Sequence, residues 1–345
     1  MNHPFNTRSS EYFKTQLAVC VAQQFRNCIF TNSTEVPPTS LNYPGNPFVF
    51  TKYIAISPVN PSVQGNVLSY SVSPALPAGL SIDPNTGQLH GTPTTSVSLT
   101  NYIVTASNLA GSMNFTLNIT VNFDISTVPG MRLWVRAEGL SLANATAVTS
   151  WTDLSNSGNT LISGVSPTYY SSANTINGKP VVRFLYGAGS NLIKTSPIGV
   201  SSSDSGSIFF VARATLAANS NVLMIGTQGA GAREFQITST GIVAINKSGI
   251  STVSSYNSGW SANSVHQVSI LQNGITNVVI RYDGSQVISN TPLATGYTAG
   301  TLGLGVGGAD IDIAELFYFD NRVNDQDTIS IECYLGNRYA TFNCP

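Results

Sequence analysis

The chain has little charge: Asp, Glu, Lys and Arg make up 9% of its 345 residues, against roughly 25% in an ordinary soluble protein. Its 15 basic and 16 acidic side chains leave a formal net charge of -1, which offers no basic field to nucleic acid or anionic lipid. The three histidines, His3, His90 and His266, lie far apart, and none stands in a metal-ligand spacing such as H-E-x-x-H. No apolar run approaches the ~20 residues of a membrane span. Nucleophile-elbow, phosphate-loop and dinucleotide fingerprints are missing as well. In place of charge stand Ser, Thr, Asn and Gly. Hydrophobic residues reach 42%, enough to build cores and to exclude a disordered chain. This is the make-up of an exported all-β protein whose strands are solvated by hydroxyls and amides.

The four cysteines sit only at the two ends. Cys20 and Cys28 lie close together, as do Cys333 and Cys344, and both spacings exceed the short C-x2-4-C pairs of zinc sites. Two local disulfides, Cys20–Cys28 and Cys333–Cys344, are expected, each pinning a terminus. That implies an oxidising compartment: extracellular, cell-surface or periplasmic. The alternative is a cytosolic protein with four free thiols. The opening "MNHPFNTRSSEYFKTQ" is polar and reads as no signal peptide, so the expectation is that an export signal has been removed.

Tyr12, Phe13, Leu17, Val19 and Val21 fall roughly at helical spacing, which predicts a short disulfide-closed helical segment within residues 1–36. From 37 to 123 the pattern is β. In "FTLNITVNF", Phe115, Leu117, Ile119, Val121 and Phe123 alternate with polar residues, the period of a sheet with one buried and one wet face. "YIVTASN" and "LSYSVS" repeat the scheme. Between them, "LPAGLSIDPNTGQLHGTPT" reads as strand, turn, strand, with Asp83-Pro84 opening the turn and Gly87 supplying a positive φ. Asp83 is read as a turn residue rather than a calcium ligand, and His90 as an exposed strand residue. This stretch, with "NYIVTASNLAGSMNFTLNITV" after it, resembles the immunoglobulin-like module of bacterial surface proteins over about 85 residues. The resemblance implies a small sandwich acting as a spacer or stalk.

A linker at 124–130, "DISTVPG", leads to residues 131–345. There Asn273-Gly274 and Asp283-Gly284 are hairpin signals, and the end turns from strand to a short helix carrying Cys333. The ordered set "LWVR", "WTDLSNSGN", "NGKPVVRF", "DIAE" and "YLGNRY" resembles bacterial laminin-G-like, concanavalin-type jelly rolls across about 210 residues. It implies a two-sheet antiparallel sandwich.

Glycoside hydrolases on that jelly roll carry E-x-D-x-x-E, and Asp310, Asp312 and Glu315 imitate the spacing with Asp at the first position. In a regular strand Asp310 and Asp312 face one way, and Glu315 the other, beside Ile311, Ile313, Phe317 and Phe319. Only a bulge would bring them together. The preferred reading is a buried Glu315 paired with Arg132, Arg136 or Arg183. Laminin-G-like domains usually hold calcium. No D-x-D-x-D-G loop is present, and a calcium site from one or two of Asp153, Asp204, Asp320 and Asp325 with carbonyls is kept as the alternative to no cofactor. Tyr169, Tyr170, Tyr256, Trp260 and Tyr297 lie in loop-like text and are candidates for stacking on sugars, whereas Trp134 and Trp151 read as core.

Two functions are expected from different classes. One is a non-enzymatic, adhesin-like surface or periplasmic protein whose lectin-like domain binds a glycan or protein partner. The other is a structural subunit that self-assembles or packs on a filament, such as a flagellar sheath. The "SSEYFKTQLAVCVAQ" block resembles the start of mature exported proteins of leptospiral spirochaetes, and that resemblance raises the sheath reading. Glycoside hydrolysis is a distant third.

Overall fold

The computed structural model describes residues 35–344, apart from 173, 198, 201–203, 217–218, 227–230, 250, 293–295, 299 and 309. The expected N-terminal helix and the Cys20–Cys28 bond lie outside the described residues. The chain divides into two compact units. The first holds the described part of Met1–Val49 with Ala55–Thr92 and Val97–Thr120; the second holds Phe50–Ile54, Pro93–Ser96 and the described residues from Val121 onward.

The first unit is an immunoglobulin-like arrangement of short sheets. A four-stranded sheet runs in the order Phe48–Thr51, Gly111–Asn122, Val97–Asn108, Ser69–Ser73, with Thr39–Asn42 paired to Ser62–Gln64 and Leu80–Ile82 to Leu89–Gly91. The period of two in Gly111–Asn122 is realised: Leu117, Ile119 and Val121 are buried, while Thr116, Asn118 and Thr120 retain solvent contact. The proline- and glycine-rich stretch is the hairpin joining Leu80–Ile82 to Leu89–Gly91. Asp83 Oδ1 accepts hydrogen bonds from the Asn85 and Thr86 amides, both 2.8 Å, so the carboxylate closes its own turn. At Gly91 (φ +122°) a Cβ would stand 2.1 Å from the Gly79 carbonyl oxygen, so only glycine permits this pairing.

The second unit is a jelly-roll sandwich with a helix on its back. One sheet of nine strands has the order Thr146–Ala147, Thr168–Tyr170, Val181–Phe184, Ile311–Phe319, Gly206–Ala214, Val265–Asn273, Asn277–Tyr282, Ser285–Asn290, and Met131–Arg136 also pairs with Ile311–Phe319. The other sheet, of eight, runs Ser150–Trp151, Leu161–Val165, Asn191–Lys194, Leu302–Leu304, Ser220–Ile225, Arg233–Ile237, Ile242–Lys247, Ser251–Asn257. All the registered pairs of both sheets are antiparallel. Leu133, Trp151, Phe184, Phe210, Phe235, Ile270 and Leu316 are among the side chains filling the core between them.

Helix α1 (Asp325–Tyr339) covers the far face of the nine-stranded sheet, packing Ile331, Leu335 and Tyr339 with Phe209, Val211, Phe317 and Phe319. Asn324 caps it by accepting from the Asp327 amide at 2.9 Å. Asp325 and Asp327 in the first turn and Arg338 in the last suit the helix dipole. The Cys333–Cys344 disulfide, with Cα atoms 5.1 Å apart, fastens the helix to the segment after it. Because the sheet is covered on both sides, Gly206–Ala214 and Ile311–Phe319 are buried along nearly their whole length, which is why they read as continuous apolar runs.

One expectation is corrected in that central strand. Val211 pairs with Glu315 and Ala212 with Ile313, so Ala314 is an extra, bulged residue. Ile311, Ile313, Leu316 and Tyr318 therefore face the inter-sheet core, while Ala314, Phe317 and Phe319 face the helix layer. Asp312 and Glu315 share that outer face instead of lying on opposite ones.

Candidate functional site

Sharing a face does not make the carboxylates an open pair. Asp310 lies just before the strand and accepts from the Tyr186 amide at 3.1 Å. Asp312, 3% exposed, receives Arg183 through two bonds of 2.6 and 2.8 Å and Arg213 Nε at 3.0 Å. Two guanidiniums thus answer one carboxylate. Glu315 has no exposed surface. It accepts from Trp134 Nε1 at 2.7 Å, Tyr339 Oη at 2.9 Å and Tyr334 Oη at 3.1 Å. Burial pushes its carboxyl above the usual range, with the Trp134 and tyrosine bonds pulling the other way. A sealed acid and a doubly neutralised one cannot flank a glycosidic bond.

Of the arginines expected beside Glu315, Arg132 pairs instead with Asp320 at 2.6 Å and Arg183 is held by Asp312. Arg136, opposite Glu315 in the register, donates to Tyr334 Oη at 3.3 Å, and its charge pulls the Glu315 carboxyl downward. Arg338, delivered by α1, stands 3.5 Å from the carboxylate.

The aromatic candidates divide. Tyr169, Trp260 and Tyr297 are buried. Tyr169 and Trp260 fill the inter-sheet core, and the Tyr297 ring carries the Arg233 guanidinium at 4.2 Å while its hydroxyl donates to Gln272 at 3.0 Å. These three have no free ring face for a sugar. Tyr170 lies half-buried under Arg183, 4.8 Å from its ring centre, and Tyr256 packs on Tyr282 at 6.2 Å. Trp151 is core; Trp134 is half-buried and spends its indole N–H on Glu315.

The aspartates considered for calcium are occupied by protein donors. Asp153 accepts from the Trp134, Ser155 and Asn159 amides and the Ser155 hydroxyl. Asp204 accepts from the Gly296 amide, Asp320 pairs with Arg132, and Asp325 with Arg322. Among the described residues no three His, Cys, Asp or Glu side chains come together as metal ligands.

What the sequence reading missed is a row of amides on the outer face of the eight-stranded sheet. Phe235, Ile237, Val243 and Ile245 point into the core, so Glu234, Gln236, Ala244 and Asn246 point away from it. Asn246 Nδ2 donates to Gln236 Oε1 at 2.9 Å, Gln236 Nε2 to Asn221 Oδ1 at 2.8 Å, and Asn221 Nδ2 to the Val306 carbonyl at 2.8 Å. The bonds run head to tail across three strands, and at the last of them the buried Asn246 Oδ1 has no hydrogen-bond partner. Glu234, directly opposite Asn246 in the register, is held above the usual carboxylate range by desolvation, against a bond from Ser248. The alternation in "REFQI" and "VAIN" was the available signal, but polar residues at period two are ordinary on a wet sheet face.

The fold and this face define an all-β chain in which an immunoglobulin-like unit and a jelly roll carry surfaces rich in amides. Residues 29–122 match the family model described as "Putative Ig domain". No curated protein matches the chain. Among solved structures, the binding domain of botulinum neurotoxin DC in complex with rat synaptotagmin II is 14% identical over 61% of this chain and 52% of that one, with a TM-score of 0.46. The same toxin's binding domain in complex with SialylT is 13% identical over 60% and 52%, with a TM-score of 0.45. A structure concerning type C neurotoxin, whose cell entry is described as dependent upon two ganglioside molecules, is 13% identical over 61% and 52%, at 0.46. The chain spans about half the length of these structures, and likenesses at this level carry no inference about ligands.

Proposed function

We propose that the protein is an exported binding protein and that the outer face of the eight-stranded sheet, around Asn221, Glu234, Gln236 and Asn246, takes a glycan. The observation that carries this reading is Asn246 Oδ1, an acceptor shut from solvent and left without a hydrogen-bond partner at the end of the amide row, a deficit that a ligand hydroxyl would make good. An amide group has two donors and two acceptor sites, and each amide here uses only part of that capacity within the row. A sugar hydroxyl donates and accepts at once, so it fits beside an amide that still offers both. Glu234 adds an acceptor for a second hydroxyl, provided it is ionised.

Glycan-array retention of the purified chain tests the proposal. Asn246→Ala and Gln236→Ala should each weaken retention about tenfold, the worth of one hydrogen bond of ~1.4 kcal/mol, in chains that still melt cooperatively. Retention should also fall as pH drops through the raised range of Glu234, because protonation removes the charge that strengthens its bond to a hydroxyl. A chain that retains on no glycan, or variants that retain as wild type does, sinks the reading. Packing in an assembly is a second reading, favoured by Leu99 and Ile103, which stand exposed beside Asn101 on one face of Val97–Asn108.

A further inference from the structure

Three residues near one end of the nine-stranded sheet form a hydrogen-bonded chain of a different kind. Ser264 Oγ lies 2.9 Å from His266 Nε2, and His266 Nδ1 lies 2.7 Å from Asp283 Oδ2. We propose that Ser264, His266 and Asp283 are the nucleophile, base and orienting acid of an esterase site acting on activated carboxylic esters. This goes beyond the binding reading and adds an activity to a chain whose composition predicts none.

Each member is placed by an independent feature. Asp283 occupies the tight turn between Asn277–Tyr282 and Ser285–Asn290, where its φ of +45° and the +76° of Gly284 are the backbone of a two-residue hairpin loop. Its second oxygen accepts from the Gln267 amide at 2.9 Å, which fixes the carboxylate plane. The His266 ring is held on two sides, stacked on Tyr282 with centroids 4.6 Å apart and met by the edge of Trp260 at 4.8 Å. Ser264 is half-buried and ends a turn whose other residues, Ser261, Ala262 and Asn263, are exposed, so a reagent can reach it.

The chemistry follows from the acceptor inventory. An ionised carboxylate only accepts, so Asp283 selects the tautomer with hydrogen on Nδ1 and leaves Nε2 as a base aimed at Ser264. The serine hydrogen has two acceptors, Nε2 and the Ser261 carbonyl at 2.6 Å, and rotation about Cβ–Oγ moves it between them. As Oγ adds to the ester carbon, the hydroxyl proton passes to Nε2. When the tetrahedral adduct collapses, the C–O bond to the alcohol breaks and the same proton leaves with the alkoxide. Water then repeats both steps on the acyl-serine, giving the free acid and the original hydroxyl. The Ser264 amide is bonded to the Ser261 carbonyl at 3.0 Å and supplies no oxyanion donor. The substrate is therefore an ester with a ready leaving group rather than an amide.

A fluorophosphonate probe and p-nitrophenyl acetate test this on the full chain. The expected result is a single adduct mapped by mass spectrometry to Ser264, with turnover that Ser264→Ala abolishes and Asp283→Asn lowers about 10³- to 10⁴-fold in kcat. A folded wild-type chain that takes no label at Ser264, or turnover that survives Ser264→Ala, overturns the proposal. The mapping is read on the wild type, so it stands even if a variant fails to fold.

Discussion

A carboxylate with no exposed surface needs its charge answered close by, and at Glu315 most of the answer comes from neutral donors. Trp134, Tyr334 and Tyr339 donate to it, with Arg338 standing at 3.5 Å. Glu315→Ala strands those donors and opens a cavity, so it should cost roughly 3–5 kcal/mol and lower the melting temperature by about 10 °C. Glu315→Gln keeps one acceptor and removes the titration. A carboxyl whose folded pKa is raised contributes stability below its unfolded pKa and loses it as pH rises through the folded value. Wild type should therefore lose ground against Glu315→Gln as pH rises from the acid side, and thermal melts across that range read the sign directly. At this scale the sequence was uneven. Asp83 was legible because its partners, the Asn85 and Thr86 amides, are two and three residues away. The face of Glu315 was not, because one bulged residue, Ala314, reverses the side from which everything after it projects.

Elements were easier to read than their layering. The wet-faced strand Gly111–Asn122 declared itself by alternation, and the end of the chain by its helix and cysteine pair. The strand Ile311–Phe319 was legible as a strand but not as a covered one, since a helix lies on its outer face and both sides are apolar. The amide row was hidden for a different reason: Asn221, Gln236 and Asn246 come from three strands and meet only through cross-strand pairing. Helix α1 depends on a covalent clip. The bond from Cys333 closes a loop 11 residues long, which by chain entropy is worth about 3 kcal/mol. Reduction, or Cys344→Ser with Cys333→Ser, should lower the melting temperature by roughly 6–12 °C. A reduced protein melting as the oxidised one does would mean that packing alone holds the helix.

At the scale of the molecule, the compact units do not follow the order of the chain. Phe50–Ile54 belongs to the second unit although the strand Phe48–Thr51, which it continues, begins in the first. Within that unit Lys52 is 1% exposed and its Nζ reaches Asp327 Oδ1, which has no exposed surface, at 2.6 Å. The other oxygen of Asp327 accepts from Asn324 Nδ2 at 2.7 Å and from the Tyr53 hydroxyl. Nothing in "FTKYIA" signals this, because a lysine among mixed residues reads as solvated; its burial is decided by a helix some 270 positions away. Removing one member of a buried pair leaves the other charge unanswered in a dry site, at a cost of roughly 3–5 kcal/mol. Lys52→Met should therefore lower the melting temperature by about 10 °C. Asp327→Asn placed on top of it should return part of the loss, because the orphaned charge is gone while acceptors for Asn324 and Tyr53 remain. A fragment of residues 121–345 lacks Lys52 and Tyr53 and should show the same deficit, again relieved by Asp327→Asn. Melting curves for the five chains, wild type included, form a closed comparison. If Lys52→Met and the fragment both melt with wild type, the ion pair contributes nothing and the second unit is complete without Phe50–Ile54.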